Sequence, residues 1–438
     1  MTVKNGADVI VVGAGPAGCA CAAVIARAGK KVVVVERGNY AGSKNMFGGA
    51  IFSDAVKKVF PDFEKNAPLE RTVIKHNYSL LSDKSCVNIS YEDFIALNDE
   101  NKAIIVNRSK FDRWCADEAQ KDGVYFAYNT VVREILTDDK KRVIGIQTDN
   151  EKFYAPLVIL ADGANSLLAR QIGLRKNFKI TDEILSVKEV FEYENEHILN
   201  QKLNLNSNEG LLYEFIGGPL KNKFALGILY TNKKSVSIGL GVSMKDLIAS
   251  KKKPYQLLDE LKSTKEISKL LEGAKPVEYS AHLIPESNPK TMPKLYSDGV
   301  MVIGDAAMLV NNLHFEGTNL AVTSGIIAAN VAIDAFNKND FSQKILSKYA
   351  KELKKSFVYK DINSYRNVMK TFHKSSDTFM GYYIDKINDF FGCFVKVDSV
   401  PKKDKYRAFI LSFLKGISPL KLIKDIFRVI KLVIEAIF

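Results

Sequence analysis

The chain has 438 residues, with 63 Lys and Arg against 50 Asp and Glu and a formal net charge of +13 at pH 7. This length holds roughly two or three domains around a sizeable core, and 46% hydrophobic residues with mixed charge exclude a disordered or fibrous chain. The basic excess invites an anionic partner, yet no RNP, helix-turn-helix or zinc-finger pattern accompanies it, which argues against nucleic acid.

The five cysteines (Cys19, Cys21, Cys86, Cys115 and Cys393) have no ligand-like spacing. They read as buried or incidental thiols in a reducing compartment, with neither a disulfide nor a metal centre expected. The first strand begins almost at once, so no signal peptide is expected before it. No run approaches the ~18 uninterrupted apolar residues of a spanning helix, and none is expected.

An apolar run, Val9–Val12, leads into Gly13-x-Gly15-x-x-Gly18, an alanine-rich helical segment containing Ala17, and a second apolar run, Val32–Val35, closed by Glu36. Strand, glycine turn, helix, strand and acid follow in the order that a dinucleotide site needs. Gly13 permits the tight turn, Gly15 lets backbone approach a pyrophosphate, and Gly18 lets the helix pack closely. The helix N-terminus offers N–H groups to phosphate, and Glu36 is placed for the ribose hydroxyls.

Strand-like runs follow at Tyr78–Leu81 and Cys86–Tyr91, then an arginine-led loop opening a helix whose Phe111, Trp114, Cys115 and Ala119 face inward. Two strands flank a turn at Asp138–Arg142, and a third, Tyr154–Leu160, runs into Asp162-Gly163. Residues 183–246 alternate as an antiparallel sheet does and are expected to build a second domain. Helices are expected at Tyr255–Leu261 and Ile267–Leu271, then a return strand, Gly299–Ile303, ending in Gly304-Asp305-Ala306-Ala307. Gly317-Thr318-Asn319 opens another helix, and the last hundred or so residues read as helical and lysine-rich, with solvated loops at Lys251–Lys253 and Lys402–Lys403.

Three distant segments thus resemble backbone laid against one bound dinucleotide: the opening fingerprint, Asp162-Gly163 and Gly304–Ala307. An acid at a strand end, such as Asp305, suits a ribitol hydroxyl while a helix start faces phosphate. Only one GxGxxG unit is present, so no separate nicotinamide domain is expected.

The C-terminal segment SPLKLIKDIFRVIKLVIEAIF begins with Ser418 as N-cap and Pro419 at the first helical position. Lys421, Lys424, Asp425, Arg428, Lys431 and Glu435 share about a third of the helical circumference, and apolar residues fill the rest. So wide an apolar arc with a mainly basic face fits a helix in a membrane interface or docked on a partner, the alternative being a helix buried against the body.

Beyond these patterns the chain resembles flavoproteins with a glutathione-reductase-type FAD-binding Rossmann domain. It lies in the branch of aromatic hydroxylases, geranylgeranyl reductases and electron-transfer-flavoprotein:quinone oxidoreductases, and is most similar to the FixC family. Residues Glu36–Met46 with Gly48-Gly49, Arg108 with Phe111-Asp112, Leu229–Lys233, Tyr279–Glu286 and Gly304–Ala307 carry the likeness over roughly residues 8–335. The implied fold is α/β: an FAD-binding domain from 1–75, 105–175 and 290–340, an inserted antiparallel-sheet substrate domain from 76–104 and 180–289, and a helical region from 341–438 containing the amphipathic helix 418–438.

The resemblance implies noncovalent FAD, with Gly13, Gly15, Ala17 and Gly18 at the pyrophosphate and Glu36, beside Arg37, at the adenosine ribose. Asn45, Met46 and Gly48 would line the flavin's approach, Arg108 would neutralise phosphate, and the Val132 backbone would lie near adenine. Asp162 and Gly304 belong to the same strand-end set, and Asp305, Gly317 and Thr318 would face ribitol and isoalloxazine. His314 and His282 are candidate proton relays, His314 being nearer in sequence to the flavin loop. No metal is implied: the C-terminal half has only Cys393, whereas the large quinone oxidoreductases of this branch carry a four-iron cluster on four cysteines.

The implied activity is electron transfer from an electron transfer flavoprotein toward quinone or a small ferredoxin-like iron–sulfur partner, on the cytoplasmic face of the membrane. The alternatives are an isoprenoid-lipid reductase, an aromatic hydroxylase using NADPH, and a flavin-bearing electron-wire subunit without its own turnover.

Overall fold

The computed structural model describes residues 6–44, 49–176, 179–180, 183–314 and 316–437. The chain divides into two compact units, one from residues 1–72, 98–183 and 282–363, the other from 73–97, 184–281 and 364–438. The helices Gln343–Lys355 and Phe357–Ser364 therefore group mainly with the first unit, and only the later helices with the sheet of the second.

The first unit is built on a sheet in the order Tyr296–Ser297, Val300–Val302, Leu157–Leu160, Val9–Val12, Val32–Val35, Tyr125–Ala127. All neighbours are parallel except the short hairpin at one edge. Val9–Val12, Leu157–Leu160 and Val300–Val302 are buried throughout, as parallel strands covered on both faces must be. Helix Pro16–Arg27 is almost wholly buried, and its small residues let Thr318–Lys338 pack directly on it. Thr318–Lys338 is the one helix among the described residues long and apolar enough to cross a bilayer, and most of it is core.

A three-stranded antiparallel meander (Val132–Thr137, Val143–Thr148, Lys152–Tyr154) stands beside this sheet in the chain. The single strand expected at Tyr154–Leu160 is therefore two: Lys152–Tyr154 closes the meander and Leu157–Leu160 enters the parallel sheet. Pro156 explains the break, because it has no N–H to continue a ladder.

In the second unit the strands run in the order Lys275–Pro285, Glu183–Glu192, Ser235–Ser243, Ala225–Thr231, Glu209–Gly217, Leu69–Leu81, with Cys86–Glu92 paired to Leu69–Leu81. The long central pairings are antiparallel, as the alternation predicts. One face packs Val187, Tyr213, Phe215, Leu229, Ile238 and Leu240 under Leu257, Leu258 and Leu261 of helix Pro254–Lys262.

The C-terminal helices belong to this second unit. Lys402 and Lys403 begin a helix, Lys402–Lys415, rather than lying in a loop. Lys402 Nζ donates to the Phe394 and Lys396 carbonyls at 2.8 and 2.7 Å, occupying the unpaired end of helix Tyr383–Val395.

The last helix, Pro419–Ile437, turns its polar side toward the protein. Lys421 pairs with Asp377, and Asn367 Nδ2 donates to both Glu435 oxygens at 3.0 and 2.9 Å. Asp425, 1% exposed, accepts from Tyr383 and from Arg428 Nη1, which also donates to Ser375 Oγ at 2.6 Å. Ile423, Phe427, Ile430, Ile434 and Ile437 all face solvent, Phe427 at 67% exposure. An ordinary surface helix buries its apolar face, and this one is inverted.

Candidate functional site

In the first unit, Val12 lies level with Val35 and with Leu160, and Leu160 with Val302. The four strands therefore end together, and the residues following them gather at one edge: Gly13, Glu36, Ala161-Asp162 and Gly304-Asp305. The ladder extends into these residues, with Gly13 N–H donating to Val35 O, Ala161 N–H to Val12 O, and Ile303 N–H to Leu160 O. Val9–Val12 is central, with the chain's next strand on one side and much later strands on the other. The carboxyl end of such a strand is where open α/β sheets bind ligands.

Each fingerprint glycine has a distinct job. Gly13 holds φ +105, and a Cβ there would stand 2.3 Å from Ala161 O. A Cβ on Gly18 would stand 2.0 Å from Gly13 O, so these two glycines serve the fold itself. A Cβ on Gly15, Gly163 or Gly317 would meet nothing within 4 Å, so the protein itself places no packing constraint there. Gly15 caps helix Pro16–Arg27 without a side-chain bond, leaving N–H groups of the first turn to an acceptor outside the helix.

Glu36 ties the turn to the second strand. Its Oε2 accepts from Ala14 N–H at 2.9 Å and its Oε1 from Gly38 N–H at 2.7 Å. Each oxygen retains a lone pair for a ribose hydroxyl. Asn129 and Thr130 N–H donate to the Gly38 and Glu36 carbonyls, which places Val132 two residues beyond this contact. Arg37 is exposed, while Asn45, Met46 and Gly48 lie outside the described residues.

The Arg108 side chain is largely withdrawn from solvent, at 16% exposure. Nε and Nη2 donate to the two oxygens of Asp112 at 2.7 and 3.0 Å, and Nη1 reaches Thr318 Oγ1 at 3.4 Å. Burial works against its charge, yet Asp112, joined by Asp305, holds its pKa above the ordinary value. Its first partner is thus a protein carboxylate, and Thr318 shows which way its free side points.

Burial raises the Asp305 carboxyl, with His282, Arg108 and Arg175 acting in the opposite sense. Burial lowers His282, which Asp305 opposes and Arg108 and Arg37 reinforce. His282 therefore stands in the field of the site's charges. His314 is exposed, and its charge is felt instead by Glu316 and Asp361, whose carboxyls burial raises.

Among the described residues, two of the buried side-chain oxygens that lack a hydrogen-bond partner belong to these segments. Asp162 accepts from Leu168 N–H at 3.4 Å through Oδ2, but Oδ1 is shut from solvent and unbonded, and burial pushes this carboxyl up to about 6. Asn319 Oδ1, in the first turn of Thr318–Lys338, is likewise unbonded. Orphan oxygens in one unit with an open glycine turn and an uncapped helix start fit a bound dinucleotide.

Ser324 and Gly325, which sequence reasoning missed, hold this arrangement together. Gly304, at φ +60, presses on Ala17, where a Cβ would come within 2.9 Å of the alanine Cβ, and its N–H donates to Ser324 Oγ at 2.9 Å. A Cβ on Gly325 would fall 2.5 Å from Ala17 O. The small-residue run Thr323–Gly325 was the available signal for a close helix crossing.

A model of the FAD binding domain matches residues 6–356, and one of the ETF-QO/FixC family C-terminal domain matches residues 368–434. Protein FixC of Bradyrhizobium diazoefficiens is 38% identical over 426 residues, 96% of this chain and 97% of the relative. Protein FixC of Azotobacter vinelandii is 37% identical over 426 residues, with the same shares covered. Among solved structures, a geranylgeranyl bacteriochlorophyll reductase-like protein from Thermoplasma acidophilum superposes with a TM-score of 0.72 at 20% identity, covering 96% of this chain and 99% of that one. The flavin-dependent brominase Bmp2 gives 0.64 at 16% identity, covering 94% and 100%. These two likenesses concern the fold.

Proposed function

The chain belongs to the ETF-QO/FixC family of FAD-dependent oxidoreductases, and from that premise we propose that it takes electrons from an electron transfer flavoprotein and passes them, at a membrane surface, to quinone or to a small ferredoxin-like iron–sulfur protein. FAD, when bound, supplies the two-electron chemistry. This chain's residues bind and orient it: the Gly13–Gly18 turn and the helix start take pyrophosphate, Glu36 takes ribose, and Asp162, Asp305 and Thr318 offer polar atoms along the rest.

The observation that carries the membrane part is the inverted helix Pro419–Ile437, which lies almost wholly within the segment matched by the family's own C-terminal domain. Its polar side is held by Asp377, Tyr383 and Asn367, and its outward apolar side is flanked by exposed Lys424 and Lys431. Apolar residues entering the acyl boundary with lysines at head-group level are the signature of an interfacial helix. The single GxGxxG unit supports delivery of electrons by a docking redox protein rather than by a nicotinamide nucleotide.

Stopped-flow reduction of the FAD-loaded protein tests the donor. Fast bleaching by reduced electron transfer flavoprotein supports the reading; fast bleaching by NADPH alone overturns it and favours a lipid reductase or hydroxylase. Flotation with vesicles containing an anionic lipid tests the location, and failure to float overturns the membrane part.

A further inference from the structure

Glu214 lies on strand Glu209–Gly217 between Tyr213 and Phe215, whose stacked rings (centroids 4.4 Å apart) are buried in the core of the second unit. Strand alternation therefore turns Glu214 to the opposite face of the sheet. Its own-strand neighbours there are Leu212 and Ile216, and Ile228 is its register partner on the next strand. On the other side Tyr78 is close enough for the Glu214 charge to be felt by its hydroxyl. Among the described residues Glu214 makes no ion pair and no hydrogen bond, although it is only partly exposed.

A half-buried carboxylate among apolar side chains is costly, and such groups persist where chemistry uses them. His76 shares the face of Tyr78 two residues earlier, and burial lowers its pKa. Register also places Tyr91, the partner of His76, on this face. Tyr230 lies opposite Leu212, and Lys188, farther across the sheet, is paired with Glu278 at 3.3 Å. Among the described residues no cation neutralises Glu214, so the carboxyl is held toward its acid form, with a pKa raised by burial to about 7.

We propose that Glu214, with the Tyr78 hydroxyl beside it, is the proton donor to the carbonyl oxygens of a quinone bound on this face of the sheet. The proposal rests on the reading of quinone as acceptor. Reduction of a quinone to a quinol adds two electrons and two protons. The electrons come from the bound cofactor. The neutral Glu214 carboxyl gives its proton to one carbonyl oxygen as that O–H forms, and is left as carboxylate. A proton from water restores the acid, and the second oxygen is protonated in the same way. Tyr78 supplies a hydroxyl through which that proton passes without ionising.

The experiment uses the full FAD-loaded chain and a water-soluble ubiquinone analogue. Infrared difference spectra of wild type are expected to show a protonated-carboxyl band that vanishes as pH rises through neutrality and is absent in Glu214→Gln. Quinone reduction by Glu214→Gln is expected to fall about a hundredfold and to lose the limb of its pH profile near neutrality. Glu214→Asp should recover both rate and limb in part. Flavin bleaching by the electron donor is the control that each variant is folded and loaded. Wild-type quinone turnover with an unchanged profile in Glu214→Gln overturns this proposal alone. Absence of the band in wild type does the same. Absence of quinone turnover in wild type overturns the acceptor reading, and the proposal with it.

Discussion

Tyr383 and Asp425 are joined by a hydrogen bond of 3.0 Å, donated by the phenol to a carboxylate almost wholly removed from solvent. Arg428 and Ser375 complete the set around that carboxylate. The last helix is thus held by a polar cluster rather than by an apolar seam. Asp425→Ala leaves the Arg428 guanidinium without its anion and should weaken docking of residues 419–437 by about 3 kcal/mol. Faster amide exchange confined to that helix checks it. Unchanged exchange would mean that the other contacts suffice.

The fingerprint glycines should separate folding from binding. Gly18→Ala places a Cβ against Gly13 O and should lower the melting temperature of the FAD-free protein. Gly15→Ala meets open space and should leave that temperature unchanged while cutting FAD retention after gel filtration at least tenfold. Equal behaviour of the two variants would contradict the division of labour.

Phe427→Asp combined with Ile430→Asp alters two outward residues of the last helix. Stability should change by less than about 0.5 kcal/mol, as for other surface substitutions. Vesicle binding should weaken by more than tenfold, since each apolar side chain contributes about 1.5–3 kcal/mol on burial. Wild-type flotation by this variant would place the lipid contact elsewhere.

Glu214 also makes a stability prediction. Its pKa is raised, so the folded state disfavours the carboxylate. The penalty is absent at pH values below the ordinary carboxylate pKa, grows as pH rises through about 7, and is constant above it. Glu214→Gln should therefore match wild type near pH 4 and exceed it at pH 8 by on the order of 2 kcal/mol, allowing for solvent screening. Chemical denaturation at the two pH values measures the difference.

The order Val9–Val12, Gly13, Gly15, Gly18, Val32–Val35, Glu36 was legible in the chain because every part of that unit is local. Asp162 and Asp305 were legible as strand ends, and strand register brings them level with Gly13. The pairing of Arg108 with Asp112 spans one helical turn and was within reach, but its approach to Thr318 depends on a contact 210 residues away in sequence. Periodicity located the last helix almost to the residue, yet which side faces inward depends on Asn367, Ser375, Asp377 and Tyr383, whose positions no local pattern encodes. Nearness in sequence pointed to His314, whereas the field of Asp305, Arg108 and Arg37 at His282 arises from residues far from it in the chain.

Cys19, Cys21 and Cys115 lie buried in the first unit around its opening helix, and burial raises all three thiols well above their ordinary pKa. A reduced flavin that meets oxygen makes hydrogen peroxide, and peroxide attacks thiolates, not thiols. The cysteines nearest the glycine turn are therefore chemically silent toward the side product most dangerous to this class of protein. Burial raises the Cys86 thiol too, so exposure decides: oxidative wear should accumulate first at the half-buried Cys86 and Cys393, both in the other unit.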